Sequence, residues 1–223
     1  IKARGLKAYL LRKLGRTDAA LRMTADNLAL DAFDFVSGSE ELLCRQELSG
    51  GQAVSEGQET CAGQAFFAKL RGFAENYLMT ARDYAEFGAW EEALSMLRAC
   101  PAKHPLLKYY EAYYVNRAQE LAADGSAKAR TSAQVKGLLA DAELTSSDYC
   151  FPNKLEDIAV LSFAVSQGEC PMAKYYLGCL FYDKLQWEQA VALWEEAARE
   201  KPEFPTTHRN LALAYYNKCG EPE

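Results

Sequence analysis

With 223 residues, 49% apolar and 25% charged, the chain has material for a packed core, and no apolar run approaches the roughly 20 residues that a membrane-spanning helix needs. A net charge of −6, with Lys and Arg nowhere denser than in the Lys2–Arg16 segment, argues against nucleic acid as a main partner; that basic segment reads as a solvated helix face. The seven cysteines form no CxxC pair and the two histidines, His104 and His208, lie far apart, so the expectation is free thiols in a cytoplasmic setting, with no metal and no cofactor.

The N-terminus, Ile1-Lys2-Ala3-Arg4, leads into an amphipathic helix and not into the apolar block of a signal peptide. Without an initiator Met, the chain is expected to be a fragment of a longer protein. Residues 1–34 read as two paired helices, with Ala8, Leu11 and Ala20 along their seam, Gly15-Arg16-Thr17 as the turn and Asp18 opening the second helix. Asn27 occupies a position where a small Ala would fit the seam better. Residues 37–62 read as an insertion: Ser37-Gly38-Ser39, Ser49-Gly50-Gly51 and Ser55-Glu56-Gly57 are flexible punctuation, with a short helix at Glu40–Glu47 and a surface loop around 48–60.

Order returns at Cys61 with Phe66, Phe67 and Leu70. Residues 74–107 form a second hairpin through Ala81, Tyr84, Ala93, Leu97, Cys100 and Pro105. An elongated hairpin over 106–144 follows, with Ala112 and Ala140 as its small seam residues and Asp124-Gly125-Ser126 as its turn. Pro152 stops the chain, and Asn153 is placed to cap the helix that runs to Gln167.

The clearest pattern covers 171–204. Ala190 and Ala197, seven apart, lie on one face of a helix. Gly178 on the preceding helix lets the two backbones approach, Leu177, Phe181 and Trp194 fill the seam, Asp183-Lys184-Leu185-Gln186 is a short turn, and Pro202 ends the second helix. A final helix is expected over 205–218, with Leu211, Ala212 and Tyr215 repeating the first-helix positions.

The run Leu177-Gly178-x2-Phe181, Ala190-x3-Trp194-x2-Ala197 and Pro202 resembles a tetratricopeptide repeat, departing from it only where Lys174 replaces a large aromatic. That resemblance implies an all-α, right-handed α/α superhelix of about 11 or 12 helices built from degenerate repeats at 1–34, 74–107 and 171–204. It also implies that the first helix of each repeat lines a concave binding face. Carried onto this chain, that face includes Tyr175, Cys179 and Tyr182, then Arg209, Asn210, Leu213 and Tyr216, and from the earlier hairpin Leu78 and Arg82. The run Tyr109-Tyr110-Glu111-Ala112-Tyr113-Tyr114 adds four tyrosines, about half of which should face the core.

The segments Leu70-Arg71-Gly72, Asn76-Tyr77-Leu78, Trp90-Glu91-Glu92-Ala93, Tyr149-Cys150-Phe151-Pro152 and Arg209-Asn210-Leu211 are similar to the helical tail of large uncharacterised bacterial proteins. In that family a β-sandwich region akin to carbohydrate-associated domains precedes the repeats, which implies a sugar-related context.

Catalysis finds little support. No GxSxG, HExxH, P-loop or GxGxxG is present, and Asp148, Asp157, Asp183, Glu91-Glu92 and Glu195-Glu196 read as exposed helix faces. His208 reads as a core or edge histidine, and Cys150 as a packing residue. The expectation is a non-enzymatic scaffold for a peptide, a partner protein or a neighbouring domain, with a helical accessory region of a carbohydrate-active protein as the alternative. Tyr, Arg and Asn together suit peptides and sugars alike, since each offers a flat face and polar tips.

Overall fold

The computed structural model describes residues 2–50, 61–121 and 128–219. Those residues form twelve α-helices and a short π-helical turn, with no strand among them, and they fall into two compact units, Ile1–Ala102 and Lys103–Glu223. Among the described residues no helix is long and apolar enough to cross a membrane.

The first unit holds α1 (Lys2–Lys13), α2 (Thr17–Leu30), α3 (Phe35–Leu48), α4 (Cys61–Leu70), α5 (Ala74–Glu86) and α6 (Trp90–Ala99). Its early helices pack through small residues. α1 buries Gly5 and Ala8, and α2 buries Ala20, Thr24 and Asn27, a helical stripe. Asn27 is not a defect at its seam: its amide donates to Ser37 Oγ at 2.9 Å.

The flexible reading of Ser37-Gly38-Ser39 is corrected here, because all three lie in the first turns of α3. Asp34 caps that helix, its carboxylate accepting from Ser37 N at 3.1 Å and from Ser37 Oγ at 2.8 Å. Gly38 serves packing, since a Cβ there would stand 2.9 Å from the Phe66 ring. The expected short helix at Glu40–Glu47 is thus the later part of a 14-residue helix, and most of the loop expected at 48–60 lies outside the described residues.

The basic segment is not simply a solvated face either. Arg12 is buried and its guanidinium meets Glu40 at 2.7 Å, Glu47 at 3.0 Å and Glu92 at 2.9 Å. Lys13 reaches Glu92 at 2.6 Å, and the Tyr84 hydroxyl donates to Glu40 at 2.8 Å. The carboxylates come from α3 and α6 and the tyrosine from α5, so with Arg12 on α1 this node ties four helices together. Glu92, read as exposed, is one of its members. Cys100 follows the end of α6.

The second unit holds α7 (Pro105–Leu121), α8 (Lys128–Leu144), α9 (Leu155–Ser166), α10 (Pro171–Asp183), α11 (Trp187–Glu200), α12 (Pro205–Ala214) and the π-turn Tyr215–Cys219. Tyr109, Tyr110 and Tyr114 are buried and Tyr113 packs edge-on against Phe163 at 5.5 Å, so the tyrosine run is mostly core. The seam residue of α8 is Ala142 and not Ala140, which is exposed. The turn expected at Asp124-Gly125-Ser126 lies outside the described residues.

Asp157, expected on an exposed face, is buried. It accepts from Tyr110 Oη at 2.6 Å and from the backbone N–H groups of Asn153 and Lys154, both at 2.9 Å. It therefore caps α9 in the role expected of Asn153, whose amide instead donates to the Phe151 carbonyl.

Candidate functional site

The site is built on α10, α11 and α12. α10 starts where Pro171 can enter a first helical turn without a missing donor mattering. Its orphan N–H groups at Met172 and Ala173 donate to the Glu143 carboxylate, at 2.8 and 3.1 Å. Tyr109 Oη donates to the same carboxylate at 2.6 Å, so a residue at the end of α8 fixes where α10 begins. Nothing local in the sequence marks Glu143 for this task, because its partners lie about 30 residues away along the chain.

α11 lies against α10 through buried Ala190 and Ala197. The Trp194 ring covers Gly178, and its Nε1 donates to the Tyr175 carbonyl at 3.1 Å. Lys174, at the position where the repeat pattern calls for an aromatic, is buried and ion-paired with Glu196 at 2.9 Å and with Glu200. A charge pair between α10 and α11 replaces the expected ring.

α12 completes the site. Val191, Trp194, Leu211 and Ala214 form its apolar floor, with Tyr175, Cys179, Tyr182 and Tyr215 packed at its edge. The Tyr182 ring lies 5.4 Å from Trp194, and Tyr175 meets Phe204 edge-on at 5.0 Å. The Asn210 amide donates to Cys179 Sγ at 3.7 Å, joining α12 to α10. Burial pushes the Tyr175 phenol and the Cys179 thiol upward, the thiol to about 11, so both are neutral at physiological pH. A protonated, half-buried thiol is a weak nucleophile, and the edge of the apolar floor is polar without charge.

Of the residues expected on a binding face, Tyr175, Cys179, Tyr182 and Asn210 come together here, half-buried. Arg209, Leu213 and Tyr216 stand at helical i, i+4 and i+7 spacing on the outer side of α12 and the turn that follows; Leu213 is 44% and Tyr216 72% exposed. Leu78 and Arg82 belong to the first unit, where Leu78 is core and the buried Arg82 is ion-paired with Glu75 on its own helix. His208 is exposed, with Nε2 2.9 Å from the Pro202 carbonyl oxygen.

No protein-family model matches the chain. Among solved structures it is similar to a thermophilic TPR protein of Thermus thermophilus, at 17% identity over 97% of this chain and 100% of that one, with a TM-score of 0.29. It is also similar to MamA, at 15% identity over 95% of this chain and 84% of that one, with a TM-score of 0.27. Overlaps at these scores carry no weight for function, and the reading below rests on the chain's own geometry.

Proposed function

We propose that this chain is a non-catalytic interaction scaffold that holds a peptide, a partner protein or a neighbouring domain on the α10–α12 surface. The observation that carries the reading is the composition of that surface. An aromatic and amide edge made of Tyr175, Tyr182 and Asn210 lies on the floor that holds Trp194, and an outward stripe of Arg209, Leu213 and Tyr216 borders it. Rigid aromatics beside one arginine are the residue types that anchor protein partners. The neutral Tyr175 and Cys179 offer hydrogen bonds without a charge that must be desolvated. The free thiols at Cys44, Cys150, Cys170 and Cys179 fit a reducing, cytoplasmic setting.

The test is a selection of random peptides against the whole chain, with oligosaccharides titrated in parallel. Saturable peptide binding with no response to oligosaccharides supports the scaffold. Oligosaccharide binding without peptide binding would replace it with the accessory role in a protein that also carries a β-sandwich region.

A further inference from the structure

Burial alternates through the segment between α8 and α9: Tyr149, Phe151 and Asn153 face solvent, while Cys150 and Pro152 are buried. Tyr149 is 88% exposed, Phe151 74%, and Leu155, which opens α9, 69%. Two residues apart, the Cα atoms of Tyr149 and Phe151 are held within about 7 Å of each other. The segment is pinned on either side of the rings. Ser146 Oγ donates to Asp148 Oδ2 at 2.8 Å and accepts from Asp148 N at 3.2 Å, Cys150 N donates to the Ser147 carbonyl at 3.2 Å, and Asp157 holds the N–H groups of Asn153 and Lys154. Tyr149 also sits in the left-handed region, at φ 58°, where a glycine or asparagine would rest more easily. Its ring is in water, so packing does not explain an aromatic in a strained position. Leu185 carries the same strain alone, whereas here two rings two residues apart are displayed together, and strain beside such a pair points to a surface that is used.

We infer that the Tyr149–Leu155 strip is a second docking surface, separate from the α10–α12 face, and that its occupant is an arginine-bearing aromatic peptide segment of a partner protein. Charge selects this partner. The exposed charges that flank the rings along the segment are Asp148, Lys154 and Glu156, one net negative charge, in a chain of net charge −6. Arginine satisfies both features at once, stacking its planar guanidinium on Tyr149 or Phe151 while pairing with Asp148. A nucleic acid or an anionic lipid surface would meet the same carboxylates with the wrong sign.

The test is isothermal titration of the whole chain with the hexapeptide (Arg-Trp)3, with (Glu-Trp)3 and (Arg-Ser)3 as controls. Saturable binding of (Arg-Trp)3 alone is expected, weakened at least about tenfold in Tyr149→Ala/Phe151→Ala and unchanged in Arg209→Ala, a variant of the other surface. Tyr149→Gly guards against misfolding, because relief of the left-handed strain should keep the protein at least as stable while binding is weakened. Equal binding by the double variant, equal binding of (Glu-Trp)3, or no binding of (Arg-Trp)3 would overturn the inference. So would self-association that the double variant abolishes, since a second copy would then be the occupant. Arg209→Ala keeps the two surfaces apart: loss of (Arg-Trp)3 binding in that variant would place the peptide on the α10–α12 face and overturn the inference.

Discussion

Gly178 lies directly beneath the Trp194 indole: a Cβ built on Gly178 would stand 2.5 Å from Nε1 and 2.6 Å from Cδ1. The ring has little room to retreat, because its Nε1 is held by the Tyr175 carbonyl. Two effects of opposite sign therefore meet in Gly178→Ala. Helix propensity alone would stabilise by about 1 kcal/mol, whereas overpacking a filled seam costs about 1–3 kcal/mol. We expect a net loss in urea denaturation, and partial recovery when Trp194→Phe is added. A gain from Gly178→Ala would mean that α10 and α11 are not in contact along this seam.

The Arg12 node gives a different kind of prediction. Arg12→Met leaves Glu40 buried with Tyr84 but without its cation, which should cost about 3–5 kcal/mol. Arg12→Met/Glu40→Met removes both charges and should be less destabilised than Arg12→Met alone. A double-mutant cycle by chemical denaturation checks this, and additive losses would contradict a coupled pair.

Glu92 predicts an acid limb. Burial alone would raise its pKa, but hydrogen bonds from Lys13 and Arg12 outweigh burial and hold it below the ordinary carboxylate range. A carboxylate depressed in the folded state contributes stability above its unfolded value, near about 4.3, and that contribution is lost as pH falls through the folded value. Stability should thus fall more steeply in the wild type than in Glu92→Gln below about pH 4.3, and the two curves should converge at lower pH. Denaturation midpoints measured from pH 7 to 3 show whether they do.

Leu185, in the turn between α10 and α11, has φ 63° and is 72% exposed. Its side chain gains little from packing and its backbone is strained. Leu185→Gly should stabilise by about 0.5–1 kcal/mol, since relief of strain exceeds the added entropy of the unfolded chain. Thermal unfolding measures it, and a lower midpoint would mean that the leucine contributes packing.

The seam was legible because it depends on side-chain size at fixed spacing. Gly178, Ala190, Ala197 and Trp194 carry that information within one hairpin. The charged residues were not legible. Arg12 finds Glu40 28 residues away and Glu92 80 residues away, and Asp157 finds Tyr110 47 residues back, so each reads alone as a solvated charge. Ser37-Gly38-Ser39 misled through composition, although Asp34 three residues before Ser37 was a cap visible in the sequence. On the proposed face, Tyr175, Tyr182 and Asn210 lie together in the second unit, whereas Arg82 lies in the first, ion-paired with Glu75 two turns earlier on its own helix.

The outward stripe of α12 and the turn after it is the element on which the proposed scaffold role depends, and its Arg209 and Tyr216 are exposed. Peptides selected against the whole chain should be titrated into the wild type and into Arg209→Ala/Tyr216→Ala. Binding weakened at least about tenfold, with an unchanged unfolding midpoint, is the expected result. Undiminished binding by the double variant would contradict the assignment of this surface.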